Sequence, residues 1–416
     1  MKQRIRTWYA SYPLGFWGLA ILASFAAGFS GIVLHLLLDV VEKCLFGRSE
    51  VPGQVLSDSI LPERRLLSLL GTGLLAGLVW FVLQARRPLY SVGEQLEEAT
   101  LQAQHPPFWQ HLCHSLWQVI SVGAGSPIGK EGAPREMGAL FAGRLAHWGK
   151  ANRQQRRLLI ACSAGAGLAA VYQIPLASSF FVLEVLGVSW SVTHFILALG
   201  MTSLAASFAN LVVSNEALYV LQPLAHLESV WLIALLLAVG ITPLAVLFKR
   251  ASRWAEKHKP KDVRLLASLP LAFALLALAS LAFPELMGNG SNLAQAAFNG
   301  MPLSYALASF AVKSLAVLLA LWAGAYGGTL TPSFALGAVL GLIAAQFAAY
   351  LGWAVDLPSA MALGSVVFLG TTLQAPLAAI GIVMGFTGQP LQAMWPLGLA
   401  MLCSYLIRTQ ILERKK

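Results

Sequence analysis

Gln173-Ile174-Pro175-Leu176-Ala177 returns about 200 residues later as Gln374-Ala375-Pro376-Leu377-Ala378. Outward from this pair, the stretch Gly129-Lys130-Glu131-Gly132-Ala133 through Gly138-Ala139 has a counterpart in Gly328-Thr329-Leu330-Thr331-Pro332 through Gly337-Ala338. Gly93-Glu94-Gln95-Leu96 falls opposite Gly290-Ser291-Asn292-Leu293 in the same order and at nearly the same offset. Each half therefore carries the same three Gly- or Pro-marked breaks. In an apolar chain, breaks at matching positions of two halves point to a transport site near the bilayer midplane, built from discontinuous helices.

Composition selects the solvent. Hydrophobic residues make up 57% of the 416, charged residues only 11%, and the mean hydropathy is +0.69. That charge content is less than half of what a soluble domain carries, roughly 25%, so the chain reads as a polytopic membrane protein. Stretches long enough to span are expected at Leu14–Val41, Leu66–Leu83, Phe195–Val213, Val230–Phe248, Leu265–Phe283, Tyr305–Trp322 and Phe334–Val355, with a borderline one at Leu391–Ile407. Shorter apolar pieces cut by Gly and Pro lie at Val119–Ile128 and Leu158–Leu186. The expected organisation is one membrane domain over residues 1–416, with repeat one at 14–213 and repeat two at 230–407.

Lys2, Arg4 and Arg6 precede an apolar run too long for a signal peptide and without a clear cleavage site, so a retained first helix is expected, starting in the cytoplasm. The formal net charge of +10 does not make this a nucleic-acid-binding protein. The cations collect at membrane edges, at Arg86-Arg87, Arg153 with Arg156-Arg157, Lys249 to Arg264 and Arg414-Lys415-Lys416, as positive-inside topology requires, with contact to anionic lipid as a second use. Both termini and the mid-chain linker are expected in the cytoplasm. Cys44, Cys113, Cys162 and Cys403 form no CxxC. His105, His111, Cys113 and His114 mimic a metal-ligand cluster, but Pro106-Pro107, Trp109 and Trp117 mark an interfacial aromatic segment. No metal and no cofactor are expected.

An acidic side chain inside the hydrocarbon costs about 3 kcal/mol and is functional by default. Glu131 is the strongest candidate, lying in Gly125-Ser126-Pro127-Ile128-Gly129-Lys130-Glu131-Gly132-Ala133 just ahead of the apolar Met137–Leu145 stretch. The first N–H groups of a helix have no intrahelical partner, and the positive end of the helix dipole points the same way, so such a terminus binds anions. Gly327-Gly328-Thr329-Leu330-Thr331-Pro332 offers a second terminus of this kind. Close packing of glycines between membrane helices is the plainer reading of either break alone; duplication together with an intramembrane carboxylate favours an anion site.

These motifs resemble a known family. Gly129-Lys130-Glu131-Gly132-Ala133 is similar to the G-(K/R)-E-G-P signature of the CLC chloride channels and proton/chloride exchangers, and Gly328-Thr329-Leu330-Thr331-Pro332 resembles their G-x-F-x-P. Gly288-Asn289-Gly290 and the two Gln-x-Pro-Leu-Ala segments fit the same pattern. The likeness covers Leu14 to Ile407 and looks strongest to the short bacterial ClcB-like branch, where the Pro of the first signature is likewise Ala. It implies an all-α membrane protein of two inverted-topology repeats whose broken helices meet at the midplane, a homodimer with one anion pathway per subunit, residence in the bacterial inner membrane, and no enzymatic activity. No pair of CBS domains is expected after the membrane domain.

The resemblance assigns Glu131 the role of gating glutamate, a carboxylate that occupies the anion site until protonation or displacement moves it. It assigns the backbone amides of Lys130, Glu131, Gly132, Thr329 and Leu330 to the lining of the pathway. Lys130 would also bias the local field toward anions, its plainer role being a snorkelling cation. Three departures bear on the central site. Ser91-Val92-Gly93-Glu94-Gln95 aligns with the family's G-S-G-I-P, with Val92 where the inner-gate serine belongs and Ser91 as its neighbour. The family's C-terminal tyrosine has no counterpart, Tyr405 being too early, and Leu330 replaces the phenylalanine of G-x-F-x-P. Glu184 matches the first acid of the exchangers' F-x-x-E-E run and Val185 occupies the second. Valine there favours passive conduction, with Glu184 as the candidate proton relay for coupled exchange. A fluoride/proton antiporter is the near alternative, although that branch usually reads G-R-E-G-T. An intramembrane enzyme is the distant one, and neither HExxH nor GxSxG occurs.

Overall fold

The computed structural model describes residues 12–85, 87–101, 106–224 and 229–412, the side chains of 98–101, 229, 411 and 412 excepted. Among the described residues there is no β-strand, only helices and one isolated bridge between Gly129 and Gly328. Among the described residues, seven helices are long and apolar enough to cross a bilayer, and they coincide with the seven expected spans to within a few residues at most ends. The borderline Leu391–Ile407 stretch resolves into a short turn followed by a 14-residue helix, Met394–Ile407. His105 and the charges at 1–11, 86 and 413–416 lie outside the described residues.

The chain divides into two compact units, residues 1–36, 88–116 and 133–215 in one, 37–87, 117–132 and 216–416 in the other. Helix α1 (Leu14–Phe46) begins in the first unit and ends in the second, where α2 (Pro62–Gln84) follows. The first unit continues with α3 (Val92–Leu101), most of α4 (Phe108–Gly123) and of α5 (Gly132–Trp148), then α6 (Arg153–Tyr172), α7 (Pro175–Glu184) and α8 (Val192–Ala209). The second holds α9 (Ser229–Lys257), α10 (Leu265–Ala282), α11 (Ser291–Asn299), α12 (Leu303–Ala323), α13 (Leu330–Tyr350), α14 (Leu357–Leu373), α15 (Pro376–Thr387) and α16 (Met394–Ile407).

In the first unit, α6 packs against α7, α8 and α3 around Leu158, Cys162, Val182, Leu197 and Met201. Small residues bring backbones together: a side chain at Gly28 of α1 would stand 2.8 Å from the Ala205 carbonyl of α8. The second unit repeats the device. Gly73 and Gly77 seat α2 on α10, a Cβ at Gly77 falling 2.8 Å from the Leu265 carbonyl; Gly337 and Gly341 seat α13 on α14, with a Cβ at Gly337 only 2.6 Å from Ser365 Cα. In lipid no hydrophobic effect drives helices together, so contact at this range supplies the van der Waals gain. The outward face of α2 carries exposed Leu74, Leu78 and Val82 opposite buried Leu69, Ala76 and Trp80, apolar on both sides as a lipid-facing helix must be.

The duplicated motif takes the same backbone path in each half. Gln173 ends α6 in the left-handed region (φ 54°), its N–H donating to the Ala169 carbonyl; Gln374 ends α14 likewise (φ 60°), donating to Gly370. Two residues on, Pro175 and Pro376 open α7 and α15, the helix position where a missing N–H costs nothing. The apolar stretch Leu158–Leu186 is thus two helices. The helices α14 and α15 escape a hydropathy reading because α14 has 17 residues and α15 has 12, both shorter than the roughly 20 residues that a crossing helix needs.

Candidate functional site

The site is built where two chain breaks touch, all of it within the second unit. The first break begins at Gly125, whose φ of +107° is open to glycine at little cost. Its carbonyl accepts from the Gly288 N–H (3.1 Å), and the Ala124 carbonyl accepts from the Ser68 hydroxyl (2.7 Å), so the turn is pinned from two directions. Gly129 and Gly328 then exchange a pair of backbone hydrogen bonds, Gly129 N–H to the Gly328 carbonyl at 2.7 Å and Gly328 N–H to the Gly129 carbonyl at 2.9 Å. A Cβ at Gly327 would lie 2.8 Å from the Gly129 carbonyl. The repeated glycines therefore permit a backbone-to-backbone contact between the two halves of the sequence.

This contact delivers Glu131 to the start of α13. Glu131 is fully buried, one residue ahead of the α5 N-terminus at Gly132. Its Oε1 accepts the Leu330 N–H at 2.6 Å and its Oε2 accepts the Thr331 hydroxyl at 3.1 Å. Leu330 is the first residue of α13, so the carboxylate takes one of the N–H groups that a helix leaves without an internal partner, at the end where the dipole favours negative charge. The carboxylate thus occupies a helix N-terminus, where negative charge is favoured.

A second layer surrounds the neighbouring lysine. Lys130 is buried and its Nζ donates to Glu50 Oε2 at 3.2 Å. Glu50 accepts through Oε1 from the Ser291 hydroxyl, at the start of α11, and its own N–H donates to Glu42 Oε2 at 2.9 Å. Lys130 is therefore a buried, paired cation next to Glu131 in the chain. Ser291 and Thr331 lie in the repeated breaks, whereas no motif marks Glu42 or Glu50. Glu50 follows a span in an ordinary polar turn, and nothing local to it signals a partner 80 residues away.

Among the residues expected to line the pathway, Lys130, Glu131, Gly132, Thr329 and Leu330 all fall at this junction. Gly132 has no space for a side chain, since a Cβ would run into Gln118 Oε1. Ser91, Val92 and Glu184 belong to the other unit. Ser91 is exposed and its hydroxyl donates to Glu94 Oε2 at 2.8 Å, while the Glu94 N–H returns to it at 3.3 Å, a capping arrangement at the start of α3. Val92 is buried in the core cluster that holds Leu158 and Leu183. Glu184 is the half-buried last residue of α7, followed by Val185. The histidines of the apparent metal cluster serve the fold: His111 Nε2 accepts from the Tyr90 N–H (3.0 Å), leaving Nδ1 to donate to the Pro107 carbonyl (3.0 Å), and His114 lies 3.4 Å from Glu136. Among the described residues no group of three or more His, Cys, Asp or Glu is placed to hold a metal ion.

Comparison with known proteins identifies the family. A family model described as voltage gated chloride channel matches residues 78–409. A voltage-gated ClC-type chloride channel ClcB from Escherichia coli O17:K52:H18 is 30% identical over 394 residues, covering 89% of each chain; the ClcB of Citrobacter koseri is similar at the same identity and coverage. Among solved structures, a slow cyanobacterial Cl−/H+ antiporter superposes with a TM-score of 0.80 at 20% identity over 95% of both chains, and a CLC-type fluoride/proton antiporter with 0.74 at 20% identity over 94% of both. The fold is that of the CLC transporters, whose members are channels and transporters rather than enzymes. With a family model spanning well over half of the sequence and a relative matched along nearly its full length, the chain belongs to the voltage gated chloride channel (CLC) family of integral, multi-pass membrane proteins.

Proposed function

We propose that this protein moves chloride or a similar small anion across the bacterial inner membrane through a pathway gated by Glu131. One observation carries the reading: the Glu131 carboxylate rests on the Leu330 amide and the Thr331 hydroxyl at the N-terminus of α13. Donors that hold a carboxylate also suit a halide, and the two compete for one seat. Protonation removes the charge that makes Glu131 the better occupant, so external acid opens the seat to the anion. Lys130, neutralised by Glu50, tempers the attraction so that the anion can leave as well as enter. The amides of Lys130, Glu131, Gly132, Thr329 and Leu330 line the path in this reading, with Ser91 and Val92 at its inner end.

Passive conduction is the favoured mode, because Val185 follows Glu184 where the exchangers carry a second acid. Coupled exchange would use Glu184 as the relay. The two inverted repeats, 14–213 and 230–407, form one membrane domain, both termini lie in the cytoplasm, and the working unit is a homodimer embedded in lipid. Reconstitution in liposomes with a chloride gradient, recording anion efflux and internal pH together, tests the proposal. Chloride efflux without proton movement is the expected result. Efflux of fluoride far above chloride, with counter-movement of protons, would favour the fluoride/proton alternative; no anion flux under any gradient would remove the reading.

A further inference from the structure

Tyr219 lies in the connection between α8 and α9 and is 2% exposed, yet its phenol oxygen has no hydrogen-bond partner among the described residues. Its surroundings are exact enough to exclude a loosely placed side chain. The ring stacks on Phe334 (centroids 5.0 Å apart, planes 11° apart) and meets Phe298 and Phe386 edge-on at 5.8 and 6.0 Å. Its N–H donates to the Phe386 carbonyl at 2.8 Å, and the next residue, Val220, exchanges hydrogen bonds with the Gln295 amide. Phe334 follows Leu330 by four residues, which places both on one face of α13, and helical side chains lean toward the N-terminus. The Tyr219 ring is therefore carried on the same helix face, one turn from the amide that holds Glu131.

Electrostatics agree with this placement. Burial holds the phenol protonated well above the ordinary tyrosine range, and the charges of Glu50 and Glu131 push it further. Tyr219 thus stays a neutral O–H donor with two carboxylates within electrostatic reach. Ser126, in the first break, and Ser333, in the first turn of α13, also carry buried hydroxyls without a partner among the described residues. A buried donor left unsatisfied is costly, and its persistence calls for a ligand.

We propose that the Tyr219 hydroxyl is an anion-binding group, donating to the halide beside the gate when the Glu131 carboxylate gives up its seat. The proposal rests on the anion-pathway reading and adds to it a side-chain donor from the segment that joins the two repeats. Tyr219→Phe is the test, because it keeps the ring stack and removes only the O–H. Chloride binding to the purified full-length protein is followed by titration calorimetry, in the Glu131→Gln background so that the tethered carboxylate no longer competes, with Tyr350→Phe as a control at an exposed tyrosine. Loss of one hydrogen bond to a charged ligand should weaken chloride binding about tenfold, with thermal stability unchanged and with fluoride affected more than thiocyanate, since the smaller ion depends more on strong donors. Equal chloride affinity with and without the hydroxyl overturns the assignment while leaving the pathway intact. A Glu131→Gln parent that binds no chloride removes the pathway reading and this inference with it. Should Tyr219→Phe prove unstable, the fluoride-to-thiocyanate flux ratio of Tyr219→Leu liposomes replaces the titration, and a ratio equal to that of the parent counts against the proposal.

Discussion

Replacing Glu131 by Gln removes a charge while keeping shape, and the structure sets how much this should matter. The carboxylate receives two hydrogen bonds, from the Leu330 amide at 2.6 Å and the Thr331 hydroxyl at 3.1 Å. Bonds to a charged acceptor contribute about 1.5–3 kcal/mol each and neutral ones about 0.5–1.5, so neutralisation costs the tethered group about 2–3 kcal/mol over both. At about 1.4 kcal/mol per tenfold, the balance between side chain and anion shifts toward the anion by about 30- to 150-fold. Chloride efflux from proteoliposomes should rise for the parent protein as the external solution is acidified. For Glu131→Gln it should be high throughout and nearly flat. A variant whose flux and pH response both match the parent would refute the gate, however well the hydrogen bonds suit it.

Other substitutions probe the layers around this seat. Glu50→Gln preserves the shape that meets Ser291 and leaves the Glu50 N–H on Glu42 but uncouples Lys130 from its carboxylate; after allowance for its partial exposure the pair should be worth about 1–2 kcal/mol. The expected outcome is a lower melting temperature together with a lower KM for chloride, most marked at low ionic strength, and a KM that does not respond would show that Lys130 has no part in attracting the anion. Gly337→Ala forces a Cβ within 2.6 Å of Ser365 Cα and should cost about 1–3 kcal/mol through overpacking, read as a fall in melting temperature with the pH response of flux retained. Val185→Glu supplies the acid missing after Glu184, and chloride-driven proton movement appearing in these liposomes is the expected result; its absence means that Val185 alone does not set the transport mode.

Much of the architecture is written in local chemistry. Seven spans follow from apolar runs, because the bilayer core demands a set length of apolar helix. The helix ends at Gln173 and Gln374 follow from the Pro two residues on in each repeat, since proline cannot continue the preceding helix. The short α14 and α15 are less legible, because their 17 and 12 residues fall below the length by which a crossing helix is recognised, roughly 20 residues.

The sequence by itself determined that this is a membrane protein of two related halves, that both halves break at matching glycines, and that Glu131 stands beside one of the breaks. Those properties depend on residue type and order alone. Only the tertiary structure decided that Gly129 and Gly328 bond to each other, that Glu131 rests on Leu330 and Thr331, that Lys130 is neutralised by Glu50, and that Tyr219 comes to lie over α13. Each of these joins residues 80 or more positions apart. An amide or a hydroxyl acquires its partner from the packing of whole helices, and no local pattern in the chain encodes which distant group that packing will bring.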